Sequence, residues 1–319
     1  MAAFLTAWRS FSSVVKSERV QFRKKLTGFG ICMLATISVA CSQSGTEVST
    51  TVALDDPTTS TSGAPSTAPS TTTESAVQGE ATTTIPTVAT SGVIVGSGGV
   101  LGWWEGAFRT AEDASAVPVE DGASYQIVGP TGVVGAAVGG APETGCEIVE
   151  GHVIIDLDPD PYQTYDPFGS NPLAVDADWD LTPQPVVQLP LGSDVYGSVV
   201  SDYLASRGFD DTEPVIVQLY RVDLEGDGAE EVIIVADNHD GEFFQQGVYS
   251  LVLVRRVIEG DVQTAVLHES IVAAELEPDE IPLSVVARVA ALADLDADGA
   301  LEIALDSAYY EGAGTEVWD

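Results

Sequence analysis

Apolar positions along this chain fall into short runs rather than long helical stripes. From residue 91 the chain reads SGVIVGSGGVLGWWEG, SYQIVGPTGVVGAAVGG and CEIVEGHVIIDLD, apolar runs of strand length broken by glycine. That is the punctuation of strands joined by tight turns, and PTG at residues 130–132 predicts one such hairpin turn. Trp103 and Trp104 share a run. Neighbours on a strand face opposite sides, so one is expected to pack inward and the other against a neighbouring element or solvent. Residues 156–192 are rich in Asp and Pro and predict loop, with a short strand around residues 174–181.

One segment changes period. In SDVYGSVVSDYLASR, residues 193–207, Val195, Val199, Val200, Tyr203 and Leu204 share a helical face, Ser193 stands where a cap is needed, and Gly208 stands where the helix must stop. Strand-like runs then resume as PVIVQLYRV, EVIIVA, YSLVLVRRVIEGDVQTAVLHESIV with a turn at residues 259–261, LSVVARVAAL, LEIALDSAYY and TEVWD. The expected fold is mainly β, an α+β chain with one clear helix and antiparallel hairpins. Residues 92–192 form a Gly-rich β region, and residues 193–319 hold the helix and the later hairpins.

Between these later strands the chain twice writes an acidic loop: DLEGDGAEEVII at residues 223–234 and DLDADGALEIAL at residues 294–305, 71 residues apart. A hard cation such as calcium takes six to eight oxygens, so a loop that binds it brings several carboxylates and a backbone carbonyl round one point. Acids at alternate positions 1, 3 and 5, with glycine at position 6 for a sharp turn, do this. The candidate ligands of the second loop are Asp294, Asp296, Asp298, the Ala300 carbonyl and Glu302, with Gly299 at the turn. Those of the first are Asp223, Glu225, Asp227, the Ala229 carbonyl and Glu231, with Gly228 at the turn. The competing reading is that Asp-Gly turns favour hairpins and acids merely decorate them.

An EF-hand needs a bidentate Glu at position 12 and helices on both sides. Here position 12 is Ile234 or Leu305 and both flanks are strand-like, which excludes that family. The two loops resemble the calcium loop of FG-GAP (integrin alpha-type) and related VCBS repeats, in which D-x-D-x-D-G-x-x-D joins two β-strands. The resemblance covers roughly residues 214–319. It implies structural calcium in a β domain with an adhesion, ligand-binding or envelope role and a protein or glycan ligand. This chain differs in having Glu225 at position 3 and Glu at position 9 of both loops, and two copies do not close a propeller. Two further acidic alternations are weaker: Asp156, Asp158 and Asp160 are followed by Pro161 at the glycine position, and Asp176, Asp178 and Asp180 read as an exposed strand face.

Charge narrows the partners. The chain carries 12 Lys and Arg against 49 Asp and Glu, six of the cations lie in the first 25 residues, and Glu18 is the only acid before Cys41. So acidic a body repels nucleic acid and anionic headgroups and attracts cations. At the N-terminus, Arg23, Lys24 and Lys25 precede an apolar run at residues 26–40 that is too short for an ordinary spanning helix, the pattern of a secretory signal. ISVACS, with Ala40 before Cys41, resembles the bacterial lipobox. That resemblance implies removal of residues 1–40, a lipid on Cys41 and a place on the outer face of the cell membrane; plain secretion and an uncleaved anchor are the alternatives. Residues 42–91, dominated by Ser, Thr and Pro with no Lys, Arg or aromatic residue, read as a disordered linker. Cys146 is then left alone, either as a buried thiol or as half of a disulfide whose partner lies beyond residue 319.

No catalytic signature is legible. H-E-x-x-H, G-x-S-x-G and P-loop patterns are absent, and there is no lysine after Lys25. The chain is expected not to be an enzyme; a secreted hydrolase with an unrecognised pair of carboxylates is the alternative.

Overall fold

A computed structural model describes residues 24–30 and 92–319, apart from 147, 148, 150, 165, 210–212, 278 and 279. In chain order its strands are β1 (Lys24–Gly30), β2 (Gly92–Gly96), β3 (Gly99–Trp104), β4 (Phe108–Arg109), β5 (Ala123–Gly129), β6 (Gly132–Gly139), β7 (Glu143–Thr144), β8 (Val153–Ile154), β9 (Leu157–Asp158), β10 (Leu173–Asp176), β11 (Val187–Gln188), β12 (Ile216–Val222), β13 (Glu231–Asp237), β14 (Tyr249–Ile258), β15 (Asp261–Ile271), β16 (Val286–Ala293), β17 (Glu302–Tyr309) and β18 (Gly312–Trp318). The helix α1 (Asp194–Ser206) lies between β11 and β12. The chain is mainly β and antiparallel, and none of its sheets closes into a barrel or propeller among the described residues.

Three sheets stack. The seven-stranded sheet has the order β4-β3-β2-β10-β5-β6-β9, the five-stranded sheet β11-β12-β13-β14-β15, and the four-stranded sheet β1-β18-β17-β16. The four-stranded sheet is the middle layer. One of its faces, with Ala287, Val289, Leu292, Ile303 and Leu305, packs on Tyr220, Ile233, Val235, Val252 and Val254 of the five-stranded sheet. The other, with Ala290, Ala291, Ala293, Ala304 and Val317, packs on Ile94, Val128, Leu173 and Val175 of the seven-stranded sheet. This explains why β16 reads VARVAALA without alternation: all eight residues are buried, as in a strand covered on both faces. A register shift between Val289 and Ala291 sends Ala290 and Ala291 to the same side. The Gln218 side chain meets that irregularity with both ends, donating to the Val289 carbonyl at 3.1 Å and accepting from the Val289 N–H at 2.8 Å.

The outer face of the five-stranded sheet is covered by α1, with Val200 and Leu204 on Leu219, Ile234, Tyr249 and Leu251. The helix forms where its sequence predicts, but its stripe runs through Tyr196, Val199, Val200, Tyr203 and Leu204. Val195 is 66 % exposed because it lies beyond the edge of that stripe, about 40° outside Val199. Ser193 makes no side-chain capping bond, and Gly208 ends the helix with φ of 86°.

The hairpin turns fall as expected. Gly129 pairs with Gly132 across Pro130 and Thr131. At residues 259–260 both φ angles are positive, 55° and 89°, the geometry that matches strand twist in a two-residue turn. Trp103 is buried while Trp104 packs edge-on against Phe108 at 5.0 Å. The strand expected around residues 174–181 ends at Asp176; beyond it Leu181 turns into the core. Cys146 is a buried free thiol.

Buried Asp306 joins layers by accepting from Asn171 at 2.6 Å, Ser97 at 2.7 Å and Thr315 at 3.3 Å. Within the segment read as a targeting signal, Lys24–Gly30 pairs antiparallel with β18. Cys41 and the linker at residues 42–91 lie outside the described residues. No helix among the described residues is long and apolar enough to cross a membrane.

The alanine-rich face of the middle sheet is fully buried against the seven-stranded sheet. Ala291→Leu is expected to destabilise the protein by about 1–3 kcal/mol, as overpacked cores do. Denaturant unfolding measures this, with Val262→Leu at an exposed site as a near-neutral control.

Candidate metal centre

The two acidic loops are the connections of two equivalent hairpins. One joins β12 to β13 and the other joins β16 to β17, each between antiparallel neighbours. They also touch, because the Leu301 N–H donates to the Leu224 carbonyl at 2.8 Å.

Their internal bonding repeats at most positions, the second loop adding a bond from the Asp296 N–H to Asp294 at 3.3 Å. In the first loop, Asp223 accepts from the N–H groups of Asp227 at 3.0 Å and Gly228 at 2.8 Å, and Asp227 accepts from Ala229 at 2.8 Å. In the second, Asp294 accepts from Asp298 at 3.2 Å and Gly299 at 3.0 Å, and Asp298 accepts from Ala300 at 2.8 Å. The position-9 glutamates close the loops: Glu231 accepts from the Leu224 N–H at 3.0 Å and Glu302 from the Leu295 N–H at 2.7 Å. Positions 4 and 6 are left-handed in both, with φ of 69° and 88° at Gly226 and Gly228, and 62° and 91° at Ala297 and Gly299. Ala297 adopts a conformation that disfavours a Cβ by roughly 1–2 kcal/mol, so the fold holds it there.

In the second loop, carboxylate oxygens of Asp294, Asp296 and Glu302 lie within 4.8 Å of one another, and all three residues are buried. This is the group of three or more potential ligands that the described residues offer a metal. Asp298 is exposed and turned to the Ala300 N–H. Among the described residues the first loop offers no such group: Glu225 pairs with Arg256 at 3.2 Å while also standing close to Glu231. The alternations at residues 156–160 and 176–180 gather no such group: Asp160 and Asp180 accept from backbone N–H groups two residues on.

Crowding these acids is costly. Glu231 is pushed up to about 7, first by burial, which outweighs the bond from Leu224, and then by the charges of Glu225 and Asp223. Burial also raises Asp294, against the opposing N–H bonds of Gly299, Ala297, Asp296 and Asp298. The carboxylate oxygens gathered in the second loop are donors of the kind that suit hard cations such as calcium, magnesium or manganese rather than softer metals.

Two features at this end of the molecule were not legible in the motif. Trp179 Nε1 donates to the Asp294 carbonyl at 2.8 Å, and the Asp294 N–H donates to the Leu181 carbonyl at 2.9 Å. The segment after β10 therefore braces the second loop, a contact of long sequence separation that no local pattern encodes.

Elsewhere, and without any sequence motif, Asp237, His239 and Ser284 stand in a line. Asp237 meets His239 Nδ1 at 3.1 Å, and His239 Nε2 meets Ser284 Oγ at 2.7 Å. This is the acid, imidazole and hydroxyl order of nucleophilic hydrolases. Here Ser284 is wholly buried, its hydroxyl also reaches the Phe243 carbonyl at 2.9 Å, and the other Asp237 oxygen is taken by buried Arg288 at 2.8 Å. The line ties the loop after β13 to the start of β16. Burial alone would raise Asp237, but the bonds from His239 and Arg288 outweigh it and hold the carboxyl below its ordinary value.

Comparison with protein-family models, curated proteins and solved structures finds no match to this chain.

Two outcomes follow from these electrostatics. A carboxyl raised in the folded state stabilises below its unfolded pKa and loses that contribution as pH climbs through its folded value. In chelator the protein is therefore expected to melt at a lower temperature at pH 7.5 than at pH 5, and Glu231→Gln is expected to flatten that slope between 4.5 and about 7. Asp237→Ala, which leaves the Arg288 guanidinium buried without its counter-ion, is expected to cost about 3–5 kcal/mol in denaturant unfolding.

Proposed function

We propose that the chain is a calcium-stabilised β domain displayed outside the cell, tethered by lipid on Cys41 through the linker at residues 42–91, with an adhesion, ligand-binding or envelope role. The observation that carries the ion is the buried convergence of Asp294, Asp296 and Glu302 within 4.8 Å, in a loop whose bonding is repeated around Asp223. The alternate acids, the left-handed turn at position 6 and the strands on either side support calcium over an empty turn. Asp298 and the Ala300 carbonyl complete the second site, and Asp223, Glu225, Asp227, the Ala229 carbonyl and Glu231 form the first. Glu225 exchanges Arg256 for the ion on binding.

The ion's role is structural. Extracellular calcium modules bind at about 10⁻⁴ M, so calcium near ~1 mM adds roughly 1.4 kcal/mol per site. That stiffens a loop and neutralises its acids without switching the fold. Cleavage before Cys41 takes β1 away and leaves β18 as a sheet edge.

Calorimetric titration of the chelator-treated full chain with calcium is expected to show two sites near 10⁻⁴ M, with magnesium weaker. Asp294→Ala with Asp298→Ala is expected to remove one site. Absence of heat at millimolar calcium, or full binding by the double variant, contradicts the proposal.

A further inference from the structure

At the other end of β17 from the second acidic loop, three segments bring apolar side chains to the surface. Phe244 and Leu283 form an isolated antiparallel bridge, and Tyr310, from the turn between β17 and β18, packs edge-on against Phe244 at 4.6 Å. Ile281 belongs to the same segment, in a turn closed by the bond from the Leu283 N–H to its carbonyl at 2.8 Å. Phe244 is 43 % exposed, Leu283 38 %, Tyr310 61 % and Ile281 63 %. Single exposed apolar residues need no explanation, but four gathered by an aromatic pair, a strand bridge and a turn have the composition of an interface centre.

This patch is held in place from beneath. The line from Asp237 through His239 to Ser284 fixes the strand segment next to Leu283, and the Ser284 N–H and hydroxyl both bond the Phe243 carbonyl, at 3.1 Å and 2.9 Å. Phe243 stacks on Phe168 at 4.9 Å. Preorganisation of this kind removes ordering cost from binding.

The charge around the patch selects the occupant. Asp240, Glu242, Glu280 and Glu311 flank the four side chains and are exposed, and residues 238–247, 274–283 and 309–312 contain no Lys or Arg. A second copy of so acidic a chain, with a net charge of -37, is repelled, as is an anionic lipid surface.

We propose that Phe244, Ile281, Leu283 and Tyr310 form a docking surface for a basic polypeptide segment that carries apolar anchors between its Lys or Arg residues. The apolar side chains seat on the aromatic pair, and the cations meet the carboxylate rim, which sets the association rate and its salt dependence. The inference rests on the display reading above, for which it names the partner, but not on the ion: the eight residues of β17 separate patch and loop by roughly 26 Å.

The test uses the full chain and a fluorescent sixteen-residue peptide of alternating leucine and lysine, with oligolysine and a leucine–glutamate peptide of equal length as controls. The leucine–lysine peptide is expected to bind at least tenfold tighter than oligolysine, and the leucine–glutamate peptide not to bind. Phe244→Ser with Tyr310→Ser is expected to weaken the first at least tenfold while leaving the oligolysine value and the far-ultraviolet spectrum unchanged. Glu242→Gln with Glu311→Gln, which keeps the apolar centre, is expected to weaken it severalfold and reduce its salt dependence. Equal binding by wild type and the Phe244 and Tyr310 variant overturns the proposal, as does equal affinity for both basic peptides. Self-association lost in that variant assigns the patch to a second copy and also overturns it. Because each arm is run with calcium and with chelator, failure to bind calcium leaves the docking result standing, and failure to bind peptide leaves the calcium reading standing.

Discussion

The hairpin of β16 and β17 is covered on both faces, and the rest of the molecule is arranged around that burial. Its backbone carries no solvent-facing side to absorb error, so small residues line one face and branched residues the other. Three polar groups that enter this layer are matched: Gln218 at the register shift, Asp306 between Asn171, Ser97 and Thr315, and Arg288 on Asp237. The same hairpin ends in the second acidic loop at one side and leads into the Tyr310 turn at the other. Rigidity in the middle sheet is what gives both ends a fixed geometry.

Against that rigidity stands the charge. The chain keeps far more acids than cations, and the structure buries several of them: Glu231, Asp237, Asp294, Asp296, Glu302 and Asp306. Asp237 is relieved by an arginine and Asp306 by neutral donors. The loop carboxylates are served by backbone N–H groups that orient them without neutralising them. Burial raises Glu231 and Asp294 in the loops, as it raises Asp176 and Asp306 elsewhere; what sets the second loop apart is that three buried carboxylates meet there.

Much of this was legible in the chain, because it depends on local pattern. Glycine and proline punctuation placed the hairpins, the turn at residues 259–261 among them, and the repeated D-x-x-x-D-G frame located both loops. The helix was found, but its face was misread by one residue, since Val195 and Tyr196 are both compatible with the stripe and only the sheet beneath decides. The short strand expected to reach residue 181 stops at Asp176, because pairing with β2 and β5 ends there. What was not legible required residues far apart in the sequence. The stacking of three sheets, the brace from Trp179, the contact between the loops at Leu224 and Leu301, and the Asp237, His239 and Ser284 line all join segments that carry no mutual signal. In the last case an ordinary serine and an ordinary histidine acquire a relationship only through the fold.

The most direct measurement uses Trp179, whose indole donates to the Asp294 carbonyl at 2.8 Å and so stands beside the second loop as an energy donor. Terbium, an oxygen-seeking ion of nearly calcium's size, is added to the chelator-treated protein under tryptophan excitation. The account predicts sensitised terbium emission that calcium displaces, that falls in Trp179→Phe and that is lost from this loop in Asp294→Ala with Asp296→Ala. Absence of sensitised emission, or emission indifferent to those carboxylates, contradicts it.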